Sequence, residues 1–233
     1  MKELKFTVRT LSNLMIGGNE SGFVIGGIDQ YTVTDHEGKP YIPGSSFKGA
    51  FRKIIRDDED EKINLIFSAY KENVITEAEA VAKNPDMNID LEQFKKNLEK
   101  GVFSDSEYMF GIVGYNQSPK IMFSDLHLIE NKDESTKGYF SIDAKNSIDN
   151  ETLIVNPRTY KVARKELVFT GTIRFRNFDK LKKEDRQEIE KYIINQLKAF
   201  NDGFYRLGNS KSRGYGHVEV KVIEVDGVQV GGY

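Results

Sequence analysis

The stretch from Lys165 to Gly203 constrains the fold more than any other part of this chain. In "KELVFTGTIRFRN", Leu167, Phe169, Gly171, Ile173 and Phe175 alternate with Val168, Thr170, Thr172, Arg174 and Arg176, the period of a strand with one buried face. Directly after it, "KKEDRQEIEKYIINQLKAFNDG" puts Ile189, Tyr192, Ile193, Leu197 and Phe200 on one helical stripe, ended by Asn201-Asp202-Gly203. The N-terminal quarter offers a second unit of this kind. "LKFTVRTLSNLMIGG" alternates and stops at Gly17-Gly18, "YTVTD" is a short strand closed by the turn His36-Glu37-Gly38-Lys39, and Phe47, Ala50, Phe51, Ile54 and Ile55 mark the buried face of a helix over 46–56. "PKIMFSDLHLIE" returns to strand alternation, and "GFYRLGNSKSRGYGHVEVKVIEV" is a glycine-rich loop running into a last strand. Residues 57–110 and 131–156 are polar and read as insertions, the first with a helix over "DLEQFKKNLEK" ended by Gly101. This order predicts an α+β fold, an antiparallel or mixed sheet with two helices on one face, in the split βαβ or ferredoxin-like pattern.

Composition narrows the function classes. At 233 residues, 38% hydrophobic and 30% charged, the chain is long enough for a sizeable core and reads as soluble and globular. It has no run of 18 apolar residues, and "MKELKFTVRT" reads as a strand, not a signal peptide, so a cytoplasmic protein is expected. The absence of cysteine removes disulfides and thiolate metal sites, and His36, His127 and His217 are too scattered for a zinc cluster. A net charge of −2 argues against coating nucleic acid by bulk electrostatics, but not against a local groove. Base gathers around Lys48 to Arg56, Arg158 to Lys165 and Arg206 to Arg213; acid gathers in "RDDEDE" and "IENKDES".

"PYIPGSSFKGAFRKII", residues 40–55, opens a helix on glycine and two serines, with Lys48, Arg52 and Arg56 recurring every four residues along another face. Ser45 or Ser46 reads as the N-cap. The cations suit either a solvated face or, with free amides at the helix start, a phosphate site. "GSSFKGAF" lacks the lysine and hydroxyl that complete a P-loop, and "GYG" runs into a strand where a dinucleotide fingerprint opens a helix. In "LGNSKSRGYG" the glycines are interleaved with Lys211, Arg213 and Tyr215, offering charge for phosphate and a ring for a base, or simply a mobile loop.

Three segments, "MIGGNESGFVIGGIDQYTVTDHEGKPYIPGSSFKGAFR", "NSIDNETLIVNPR" at 146–158, and "LGNSKSRGYGHV", stand out together. They resemble the RAMP superfamily of CRISPR-associated proteins, and most of all the repeated backbone subunit of type III (Csm/Cmr-like) RNA-guided complexes. The resemblance implies a single domain over 1–233, with a ferredoxin-like (RRM-like) core over 1–56, 119–130 and 166–233, an inserted helical lid at about 57–118, and a β-hairpin thumb at about 131–165. It implies binding to guide RNA, to complementary target RNA, to further copies along the guide and to other subunits of the complex. Gly17, Gly18, Ser45, Ser46, Lys48, Arg52, Asn156, Arg158, Lys211, Arg213, Gly214 and Tyr215 then lie on the RNA path. Asp29 becomes the catalytic residue of a target-RNA endoribonuclease and the ligand of Mg²⁺ or another divalent cation. Read without the resemblance, Asp29 is a turn aspartate after a glycine pair.

The family usually follows this aspartate with a small polar residue and proline; here Gln30 and Tyr31 follow, and the missing proline predicts a looser loop. Asp35 reads as a turn residue, and Asp125, in "FSDLHL", has no evident chemical role. Three alternatives stand beside target cleavage. The first is a non-catalytic filament subunit of the same complex. The second is a metal-independent ribonuclease that trims the guide precursor, for which His36 and His217 are the candidate acid–base groups. The third is a ferredoxin-like interaction domain unrelated to RNA.

Overall fold

The computed structural model describes residues 2–17, 28–83, 90–112, 115–130, 138–148 and 155–230. In chain order the elements are β1 (Glu3–Thr10), β2 (Gln30–Tyr31), α1 (Gly44–Asp58), α2 (Glu61–Ala82), α3 (Leu91–Glu99), β3 (Lys120–Phe123), β4 (His127–Leu128), β5 (Phe140–Ile148), β6 (Val155–Ala163), β7 (Val168–Arg176), α4 (Lys183–Leu197), β8 (Val218–Val225) and β9 (Val228–Gln229). The main sheet runs β3-β7-β1-β8-β9, with β4 also paired to β7, and every pairing in it is antiparallel. α1 carries the chain from β1 toward β3, and α4 carries it from β7 to β8. Two β–α–β crossovers interleaved in one antiparallel sheet are the ferredoxin-like arrangement the alternation predicts.

The core forms where the alternating faces of β1 and β7 meet α1 and α4. Leu4, Phe6 and Val8 of β1, Leu167, Phe169 and Ile173 at β7, and Phe47, Phe51, Ile54 and Ile55 of α1 are all fully buried. Phe47 is at the centre, with its ring 4.9 Å from Phe6 and 5.2 Å from Phe200. The predicted stripe, Ile189, Tyr192, Ile193 and Leu197 of α4 and Phe200 in the 3-10 turn after it, is buried as its spacing predicts. On the opposite face of the sheet Arg174 pairs with Glu3, and Arg9 pairs with Glu166.

Two sequence expectations are corrected. "PKIMFSDLHLIE" is not one strand. Leu126 leaves the ladder to exchange backbone hydrogen bonds with Ile42 (2.9 and 3.0 Å), which splits the segment into β3 and β4. Residues 57–110 are more than a polar insertion. α2 spans 22 residues, and Ile63, Phe67 and Val74 recur at four and seven positions; with Leu98, Tyr108, Met109 and Phe110 they join the same buried cluster as the sheet. Only three buried residues in six helical turns gave a weak periodic signal. Among the described residues no helix is long and apolar enough to cross a membrane.

The segment that resembles a thumb is an antiparallel hairpin of β5 and β6, and β2 adds to β6 in parallel. Gln30 and Tyr31 lie opposite Tyr160 and Lys161, and the Thr32 amide donates to the Lys161 carbonyl at 2.8 Å. Gln30 and Tyr31, which stand where the family has a small polar residue and proline, are therefore paired in a ladder. Removing the central ring tests the core: Phe47→Ala is expected to lower unfolding stability by about 3–5 kcal/mol. Urea denaturation measures this, and a loss below about 1 kcal/mol contradicts the packing described.

Candidate nucleic-acid interface

The start of α1 differs from the sequence expectation. The N-cap is Pro43, with no side-chain cap, and neither Ser45 nor Ser46 serves; both lie inside the first turn. The cap comes from across the fold, where Asp125 Oδ1 accepts the Gly44 amide at 2.8 Å. Glycine is required at position 44 because a Cβ there would lie 2.6 Å from the Ser124 carbonyl oxygen. The amides of Ser46 and Phe47 donate to the Pro43 carbonyl at 2.9 and 3.1 Å. The first-turn amides are thus largely taken up by the protein, and Asp125 has a role the sequence did not disclose: a carboxylate at the positive end of a helix.

The cation row is not a solvated face either. Glu107, in a 3-10 turn at Asp105–Phe110, has no exposed side-chain surface. Arg52 Nε donates to it at 2.5 Å, Arg56 donates through Nε and Nη2 at 3.0 and 3.1 Å, and the Phe103 amide donates at 3.1 Å. Burial pushes the Glu107 carboxyl up, but the hydrogen bonds from Arg56 and Arg52 outweigh it and hold it below the ordinary glutamate range. Phe110 lies under Lys48 and Arg52 (5.9 and 5.7 Å), and Phe103 lies under Arg56 at 3.9 Å. Lys48 has no carboxylate partner among the described residues. Burial first, then the neighbouring Arg52 and Lys120, lower its pKa, so this flank of α1 carries uncompensated positive charge.

The adjoining flank of α1 opens on a cleft of about 530 Å³. Gly17, Ser46, Gly49 and Lys53 line one side, and Phe204, Arg206 and Lys211 of the glycine-rich loop line the other; no carboxylate is among the lining residues. Burial, then Lys53, lower the pKa of Lys211. Arg206 is occupied in holding the loop, donating to the carbonyls of Gly203 and Lys211 at 3.0 and 3.1 Å. Phe204 is 77% exposed and meets Tyr205 edge to face at 5.0 Å. The loop's glycines serve self-crossing. Gly208 and Gly216 have φ of +72° and +76°, and a Cβ on them would lie 2.2 Å from the Met15 carbonyl oxygen and 1.9 Å from that of Leu207. Tyr215, read from sequence as a ring for a base, is 7% exposed. Its hydroxyl donates to Asp143 at 2.5 Å and Lys145 lies over its ring at 3.6 Å, so the open ring of the loop is Phe204.

Asp29 is exposed beside the middle of β6. Its amide donates to the Thr159 carbonyl at 2.8 Å, and its Oδ2 accepts the Thr159 amide at 2.6 Å. Oδ1 has no partner among the described residues. Arg158, next to Thr159, is exposed, as are Arg213 and Gly214. Gly18 lies outside the described residues; of Asn156 only the backbone, within β6, is described. The described residues contain no group of three His, Asp or Glu able to enclose a metal ion. His36 is 90% exposed in its turn, beside Glu37 at 3.9 Å. His217 packs against Gly203, with Nε2 lacking a partner among the described residues.

The structure therefore brings Gly17, Ser46 and Lys211 together in one cleft, sets Lys48 and Arg52 on the next flank, and ties Tyr215 to the hairpin. Sequence reasoning missed Lys53 and Phe204. Lys53 was within reach, since it stands four residues after Gly49 and seven after Ser46 on one helical face. Glu107 supplies the test of this arrangement. With its pKa depressed, its contribution is complete above the ordinary glutamate value of 4.5 and is lost as pH falls through the lowered one. Glu107→Gln is expected to lower stability at neutral pH by about 3 kcal/mol and to flatten the acid limb of a stability–pH profile. A variant with wild-type stability contradicts the clamp.

The RAMP superfamily profile matches residues 7–219. A protein of Streptococcus thermophilus described as "CRISPR system Cms endoribonuclease Csm3" is 28% identical over 230 residues, covering 93% of this chain and 86% of its own length. One of Methanocaldococcus jannaschii with the same description is 24% identical over 217 residues, covering 92% of this chain and 76% of its own. Among solved structures, a chain of the type III-B Cmr-beta complex bound to cognate target RNA superposes with a TM-score of 0.55 at 17% identity, over 96% of this chain and 61% of that one. A chain of the apo complex superposes with a TM-score of 0.52 at 13% identity, over 97% of this chain and 99% of that one. The structural likenesses speak for the fold, and the profile match across most of the sequence settles the family: the chain belongs to the RAMP superfamily.

Proposed function

We propose that this chain is a backbone subunit of a type III RNA-guided effector complex, one that holds guide RNA, stacks with further copies and other subunits along it, and cuts complementary target RNA at Asp29. The observation that carries the reading is the pair of hydrogen bonds between Asp29 and Thr159. It fixes an exposed carboxylate to a strand of the β5–β6 hairpin, so that in this reading a wedge and a cutting group repeat together once per subunit. The relatives named as endoribonucleases support the activity.

In this reading the guide backbone follows the carboxylate-free cleft between α1 and the glycine-rich loop, where Lys53 and Lys211 meet phosphates and Phe204 offers a face to a base. The hairpin separates guide from target and turns out a nucleotide, which frees its 2′-hydroxyl to line up with the next phosphorus. Thr159 spends its amide on Oδ2, which leaves Oδ1 of Asp29 directed and unshared. That donor set fits a hard cation that keeps most of its waters and needs few protein ligands. A bound divalent cation supplies positive charge against the phosphate. The rest of the work, orientation and separation of the strands, belongs to the chain's own residues.

Two outcomes are expected. Lys53→Ala and Lys211→Ala weaken RNA binding to a similar degree for all sequences and reduce the slope of log K against log salt by about one each, measured by filter binding over a salt series. In the guide-loaded complex with Mg²⁺, wild type cuts a labelled complementary RNA into a regularly spaced ladder, while Asp29→Ala binds that RNA and leaves it whole. Intact binding with no ladder from wild type makes the protein a scaffold. Loss of assembly in Asp29→Ala overturns the catalytic role.

A further inference from the structure

Asp143 lies mid-strand in β5, and nothing in the proposed chemistry uses it. A carboxylate on a polar two-stranded ribbon is expected to face water. Asp143 is instead half-buried and bonded on several sides: Tyr215 Oη donates at 2.5 Å, Asn13 Nδ2 reaches its two oxygens at 3.0 and 3.3 Å, and Ser141 Oγ donates at 2.8 Å. Burial pushes the carboxyl up, and the bonds from Tyr215, Asn13 and Ser141 outweigh it and keep it ionised at neutral pH. Hydrogen bonds to an ionised acceptor are the stronger kind.

The donors come from three segments: the hairpin itself, the turn after β1, and the glycine-rich loop. Asn13 is shared further, its carbonyl accepting the Gly216 amide at 2.9 Å and its Oδ1 accepting the Lys165 amide at 3.2 Å. Beneath this polar knot, Tyr215 and Tyr160 bury their rings with Met15 and Val162. Across the hairpin Asp143 stands opposite Tyr160, and Ala144 opposite Thr159. Thr159 is the residue whose amide holds the Asp29 carboxylate. A continuous path of hydrogen bonds and paired strands therefore leads from the glycine-rich loop, through Asp143, to Asp29.

We propose that Asp143, gripped by Tyr215 and Asn13, is a positioning residue that fixes the hairpin on the core and, through β6, sets the direction of the Asp29 carboxylate. Its effect on cutting rests on the reading of Asp29 given above; its effect on the hairpin does not.

The test uses the guide-loaded complex carrying Tyr215→Phe, Asp143→Asn or both, with a labelled complementary RNA and Mg²⁺. Hydrogen exchange of the amides at 158–163 is followed in the same complexes without target. Each single change is expected to lower kcat about tenfold with KM for the target unchanged, because a small misplacement of a reacting group is costly. The double variant should be no slower than the slower single, since both changes break one contact. Exchange at 158–163 should quicken about fivefold in Tyr215→Phe, the effect of one net hydrogen bond lost. Unchanged exchange overturns the proposal whatever the cutting rate. So do losses that multiply in the double variant, or loss of guide binding in Tyr215→Phe. If wild type cuts nothing, the cleavage reading fails, and exchange alone decides whether Asp143 fixes the hairpin.

Discussion

The buried carboxylate of Glu107 is the constraint on which the use of α1 depends. A charge with no exposed surface is tolerable only when it is paired and hydrogen-bonded, and here Arg52, Arg56 and the Phe103 amide meet that need together. The consequence reaches beyond the turn that contains Glu107. By drawing two of the three regularly spaced cations inward, the clamp fixes the 3-10 turn Asp105–Phe110 against α1 and fixes the rotation of α1 about its own axis. The helix is left with Lys48 as an uncompensated charge on one flank, and with Ser46, Gly49 and Lys53 facing the glycine-rich loop on the next.

The hairpin is held by a different kind of attachment. Among the described residues it buries Tyr160, Val162 and Ala163, the first two against Met15 and Tyr215, and its position rests also on directional bonds: the Leu14–Ala163 bridge, the Asp29–Thr159 pair and the cluster at Asp143. Hydrogen bonds to rigid neighbours fix its angle at little cost in area. The self-crossing of the glycine-rich loop at Gly208 and Gly216 supplies one of those rigid neighbours.

The core was legible in the sequence wherever burial is periodic. β7, α4 and the stripe of α1 were read residue by residue, because strand alternation and the helical repeat are imposed by the same burial that holds them in place. Where interactions are long-range and polar, the sequence was silent. Asp125 caps α1 from 81 positions away, and Arg52 reaches Glu107 across 55, so neither partner could be seen from its own neighbourhood. That is why the sequence points to a serine cap, and why it leaves the cation row open between a solvated face and a phosphate site without disclosing the buried carboxylate that pairs it. The glycine-rich loop shows the same limit. Its composition disclosed charge beside an aromatic ring, but the choice of Phe204 over Tyr215 as the exposed ring is made by the carboxylate of Asp143, which belongs to another segment.

The proposed path takes RNA along the cleft between α1 and the glycine-rich loop, not over the open face of the sheet. Ultraviolet crosslinking of the guide-loaded complex, with the modified residues mapped by mass spectrometry, distinguishes the two. RNA in the cleft gives crosslinks at Phe204 and its neighbours between Gly203 and Lys211. Crosslinks confined to the outer face of β1, β7 and β8, with the cleft unmodified, would contradict it.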